Sequence, residues 1–181
     1  MKAIPLSLAI SITLSSLLLA ENCQEVVRDA SGRTIQTIQH QKSSNGTVSS
    51  TTRDASGRIL GTSTSQPSSG GTTSTTYRDA SGRLTGTATT QTPGESSSRT
   101  IYRDASGRTA GSADTRGAGS SSSTQYRDAS GRLTGTSSAN HSQSGSSTAT
   151  QRDASGRVTG TNSGNCSKGV PVPSPSPNVK R

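Results

Sequence analysis

The chain predicts an all-β tandem array of strand-turn-strand units, and three observations carry that expectation. One hexapeptide, Arg-Asp-Ala-Ser-Gly-Arg, recurs unchanged six times, with starting points 25 residues apart except for one step of 24. Each repeat carries two turn signals that leave two segments of roughly nine residues between them. Finally, Ser, Thr and Gly dominate a chain with no Trp, no Phe and three Tyr, which excludes an ordinary globular core. A meander of hairpins and a β-solenoid both satisfy this pattern. A largely disordered chain is the alternative that the composition alone allows.

Residues 1–20 read as a secretory signal peptide: Met1-Lys2 is a short positive start, Ile4 to Leu19 is mostly apolar, and Ala20 is a small residue at the cleavage position. The run is short for a membrane span, and no later segment is apolar enough for one. The expected location is therefore outside the cytoplasm, secreted or at the cell surface, or in the periplasm of a bacterium. Residues 21–165 form the array, with the first copy a divergent cap, and 166–181 a disordered tail in which Pro171, Pro173, Pro175 and Pro177 favour a polyproline-like chain.

Six cores hold the repeated charges: Arg28, Asp29 and Arg33; Arg53, Asp54 and Arg58; Arg78, Asp79 and Arg83; Arg103, Asp104 and Arg108; Arg127, Asp128 and Arg132; Arg152, Asp153 and Arg157. Asp first and Gly fourth in Asp-Ala-Ser-Gly is the preference of a type I turn closed by a left-handed glycine. The second break falls at Asn45-Gly46, Gly70-Gly71, Pro93-Gly94, Gly117-Ala118-Gly119 and Ser144-Gly145. Between turns, Thr85, Thr87 and Thr89 alternate with Leu84, Gly86 and Ala88, which predicts one hydroxyl-lined face and one small apolar face. Tyr77, Tyr102 and Tyr126 precede three of the cores and would stand in a ladder.

Without the signal peptide the chain keeps 18 basic and 10 acidic side chains, a net charge of +8, of which the cores supply +6. Evenly spaced positive charge suits acidic polysaccharide or another anionic surface. Sequence-specific nucleic-acid binding is not expected, because aromatic stacking platforms are few. The function that follows is a structural or adhesive surface protein, acting through many weak contacts, with self-association as a further expectation. The rival readings are a disordered Ser/Thr-rich spacer carrying short motifs and an amyloid-like fibre subunit.

No enzyme is expected. His40 and His141 lie in different spacers outside the repeat period and read as solvated loop residues, and no Ser or Asp stands out as a nucleophile partner. No cofactor or metal is expected either: two cysteines and two distant histidines fit no zinc spacing, and one Asp between two Arg is a poor calcium cage. Cys23 and Cys166 bracket the array. A linear stack would hold them roughly 25 Å apart, so a bridge between them demands a closed ring or barrel, or a flexible chain.

The core resembles the YD repeats of Rhs-type and teneurin-like surface proteins, on Asp79, Gly82, Arg83 and Leu84 and on Asp128, Gly131, Arg132 and Leu133. That resemblance implies a hairpin in a large spiralling sheet and carries no enzymatic activity. Here Tyr77 and Tyr126 stand two residues before Asp, where the YD pattern has Tyr next to it. A looser architectural likeness is to curli-type fibre subunits, exported arrays that are also rich in Gly and Ser.

Overall fold

A computed structural model describes residues 21–94 and 96–166. Twelve antiparallel strands alternate with turns and close into one barrel. They are β1 (Glu21–Asp29), β2 (Thr34–Lys42), β3 (Val48–Asp54), β4 (Ile59–Ser68), β5 (Thr72–Asp79), β6 (Leu84–Gly94), β7 (Ser97–Asp104), β8 (Thr109–Ala118), β9 (Ser121–Asp128), β10 (Leu133–His141), β11 (Ser147–Asp153) and β12 (Val158–Gly164). Each strand pairs with its sequence neighbours, and β1 pairs with β12 to seal the ring. The array is therefore a meander; neither the solenoid nor the open disordered chain describes it. The first copy, expected as an end cap, has a neighbour on both sides. The signal peptide and the Pro-rich tail beyond Cys166 lie outside the described residues.

The hexapeptide makes the hairpin turns that join odd strands to even ones, and its residues explain the geometry. In the first copy the Gly32 amide donates to the Asp29 carbonyl, and the Asp29 amide donates to the Arg33 carbonyl. Asp29 Oδ1 accepts from the Ser31 and Arg33 amides, so the side chain satisfies the turn's own donors. Gly32 sits at φ +81°, where a side chain would be strained. The other five copies repeat this arrangement.

After each core turn the even strand carries one extra residue, a β-bulge. Tyr77 pairs with Gly86 while Arg78 pairs with Leu84, leaving Thr85 unmatched. This bulge corrects the simple alternation expected for Leu84 to Thr89: Gly86 and Ala88 do face inward, but Leu84 is 41% exposed on the rim. Ile59 and Leu60 are exposed at the equivalent place in the second copy.

Pairing between repeats fixes the register of the ring. Gln36, Gly61, Gly86, Gly111, Gly135 and Gly160 each lie opposite the Asp of the next core, the last of them opposite Asp29. Within a repeat the same position lies opposite the residue two before Asp, as Gly86 does with Tyr77. The pairing thus advances two residues per repeat and twelve around the ring, one per strand, which tilts the strands by about 36° to the barrel axis.

Inward positions are small or hydroxylic, with local exceptions. Tyr102 is buried between Ala88 and Ala113, and Tyr77, Tyr126 and Ala110 pack against that cluster. The tyrosines do fall in register, but on alternate strands, each opposite a glycine of its own repeat. Hydroxyl pairs bridge strands elsewhere inside, such as Ser65 with Thr75 at 2.8 Å and Thr90 with Thr100 at 2.8 Å. The outward face of β4 and β6 presents Thr62, Thr64, Thr87 and Thr89.

Candidate functional site

Because every core joins an odd strand to the following even strand, an up-and-down barrel puts all six at the same end. That rim carries twelve arginines and six aspartates. The other end holds the spacer turns, the start of β1 and the end of β12.

The two arginines of a core do different work. The first folds over its own turn: Nη1 donates to the carbonyl of the core glycine in all six copies, from Arg78 to Gly82 at 2.8 Å to Arg28 to Gly32 at 3.4 Å. The second is exposed in every copy, at Arg33, Arg58, Arg83, Arg108, Arg132 and Arg157. Among these six, only Arg58 makes an ion pair, with Asp54 at 3.2 Å and with Arg58 itself 82% exposed. The Arg58 amide does most to hold the Asp54 carboxyl below its ordinary range; desolvation opposes it, and the Arg58 guanidinium and Ser56 amide add to the lowering.

Each Asp thus commits Oδ1 to its own turn, while the second arginine of its core is exposed. Successive cores stand two strands apart, about 10 Å at the ordinary strand spacing. That distance matches the screening length at physiological salt, so neighbouring cores repel only weakly while one polyanion can bridge several. Ala and Ser of the core are exposed, and nothing in the turn geometry requires those two residue types.

The remaining candidates gather at the far end. Cys23 and Cys166 form a disulfide across 143 residues, with Cα atoms 5.0 Å apart. Of the alternatives the cysteine geometry left open, the closed barrel is the one observed. His40, read from the sequence as a solvated loop residue, is instead fully buried on β2, where its Nδ1 lies 2.8 Å from Ser50 Oγ. Glu25 is 2% exposed and accepts from Asn162 Nδ2 at 3.0 Å, with Oε2 standing 3.9 Å from His40 Nε2. Both depart from the repeat: Glu25 and His40 occupy positions held by Ser, Thr, Ala or Gly in the other copies. His141 ends β10 and is half-buried.

Sequence reasoning missed this cluster because its members come from β1, β2, β3, β12 and Cys166, two residues past β12, and only ring closure unites them. No protein-family model matches the chain, and no curated protein does.

Proposed function

We propose that the protein is an exported surface-binding barrel whose arginine rim engages anionic polymers, acidic polysaccharide first among them. The observation that carries this reading is the gathering of six identical cores, the second arginine of each exposed, at one end of the barrel. Weak contacts by single arginines add up when a chain-like ligand meets several at once. Identity of the core in all six copies fits a repeated epitope, since turn chemistry accounts for Asp and Gly but leaves Ala and Ser without a structural task.

Two further features favour binding over the rival readings. Closure leaves no unpaired strand edge among the described strands, which disfavours edge-to-edge fibre growth. The outward hydroxyl-rich face of β4 and β6 is unlike the apolar band of a transmembrane barrel, which favours a barrel in water. The start of β1 and the end of β12 lie opposite the rim, so a barrel held from that end would present the arginines outward.

The test is retention of residues 21–181 on a sulfated polysaccharide resin under a salt gradient, beside a variant with the six second arginines replaced by Gln. Retention that weakens with salt and is lost in the variant is expected. Absent retention, or retention indifferent to salt, would sink the reading.

A further inference from the structure

We propose that the disulfide end of the barrel is one state of a redox-gated metal site, and that the reduced chain binds a zinc-class divalent ion through Cys23, Cys166, His40 and Glu25. In the oxidised chain one donor atom each from Glu25, His40 and Cys166 already lie within 4.8 Å of one another, all buried. Cys23 is bonded to Cys166 and brings the fourth donor to the same spot. A tetrahedral zinc site with thiolate and imidazole ligands needs donor separations of about 3.3–3.8 Å, so side-chain adjustment suffices to assemble one.

A second observation points to a ligand independently of the cluster itself. His40 Nε2 is buried and has no hydrogen-bond partner among the described residues. Nδ1 is engaged by Ser50 Oγ at 2.8 Å, and in the tautomer that carries its proton on Nδ1 the Nε2 lone pair faces the cluster. Asn162 fixes the Glu25 carboxylate in turn through Oε2. This is the outer support that metal-binding imidazoles and carboxylates ordinarily carry. It is also a place where a buried carboxylate lacks a formal positive partner closer than 3.9 Å, and a bound cation would supply one.

Two thiolates with one imidazole favour zinc over the hard ions calcium and magnesium. The disulfide blocks the site, because its sulfurs carry no thiolate charge. A phosphine opens it: the phosphine is oxidised to its oxide with the oxygen of one water, and the two sulfurs take that water's hydrogens. Metal binding then releases both thiol protons as the sulfurs become thiolates. Either state ties Cys23, near the start of β1, to Cys166, two residues past β12. That junction is short, with five paired positions between β1 and β12 against eight between β4 and β5.

The experiment uses residues 21–181, reduced with a water-soluble phosphine and titrated with cobalt(II), whose visible bands report tetrahedral thiolate coordination. One cobalt per reduced chain, two protons released and no binding to the oxidised chain are expected. His40→Ala and Glu25→Gln should each weaken cobalt binding by more than about tenfold, with strand circular dichroism as the check on folding. Should either variant fail to fold, nitrogen NMR of the unaltered reduced chain decides: zinc must shift His40 Nε2 and leave His141 unmoved. Absence of tetrahedral bands in the reduced chain, equal binding by His40→Ala, or an unshifted His40 would overturn the proposal.

Discussion

The α-carbon of Gly86 lies so close to the carbonyl of Arg103 that an added Cβ would stand 2.5 Å from its oxygen. This contact joins one repeat to the next, and Gly61, Gly111, Gly135 and Gly160 make it too, with Arg78, Arg127, Arg152 and Arg28. The partner is backbone, which cannot rotate away. Alanine at Gly86 or Gly135 should therefore destabilise the barrel by roughly 1–3 kcal/mol, the range of overpacking in a filled interior. Urea unfolding of each variant checks this, and an unchanged midpoint would show that neighbouring repeats can slide apart without loss.

Closing a loop of this length removes much of the open chain's freedom. In metal-free solution, reduction of Cys23–Cys166 should lower stability by about 2–5 kcal/mol and leave the strand content intact under native conditions. Trypsin supplies a second reading, since each core offers two arginines as cleavage sites. The oxidised array should survive limited digestion, and cleavage should quicken once the bridge is reduced. Rapid cutting at all six cores in the oxidised chain would contradict the folded ring.

Tyr77 gives the barrel an alkaline limit. Burial pushes its phenol up to about 12, because the inward site disfavours the charged form. A group with a raised folded value stabilises fully below its unfolded value, near 10, and loses that contribution as pH climbs through the folded one. Thermal midpoints should accordingly fall between pH 10 and about 12. The fall should be smaller in Tyr77→Phe, and ultraviolet titration should show part of the late tyrosine ionisation lost in that variant. Equal alkaline losses in the two chains would remove Tyr77 from the account.

Asp54 acts at the opposite limit. Its folded value is depressed, first by the Arg58 amide, so its contribution is present above the ordinary value of 3.8 and is lost as pH falls through the lower folded one. Stability should hold from neutrality to about pH 4 and decline below it, with a shallower decline in Asp54→Asn. A decline of the same steepness in both would mean that the turn does not depend on this carboxylate's charge.

Much of the hairpin was legible from local chemistry. Asp and Gly in the core, and Asn45-Gly46 or Ser144-Gly145 in the spacers, act within a few residues, so their turns could be placed before any fold was known. The bulge that moves Leu84 to the surface was not, because an extra residue has no signature apart from the partner strand it fails to match. His40 was misread for the same kind of reason. Its burial depends on Cys23 and Ser50, which pair beside it only once the strands are in register, and on Asn162, which the ring brings to Glu25 from 137 residues away. The arginine rim lay between these cases: six cores were visible as a ladder, but their gathering at one end required the meander.

The seam between β12 and β1 repeats the pairing of the other junctions, with Gly160 opposite Asp29 as Gly86 is opposite Asp104. Register gain and strand number therefore grow together, and their ratio sets the slope of the strands. A chain with one copy more or fewer would keep that slope and every junction, and its circumference would change by about one sixth. Copy number in this gene is in effect a dial for bore and for valency at once: each duplication widens the opening and adds one more pair of arginines to its edge.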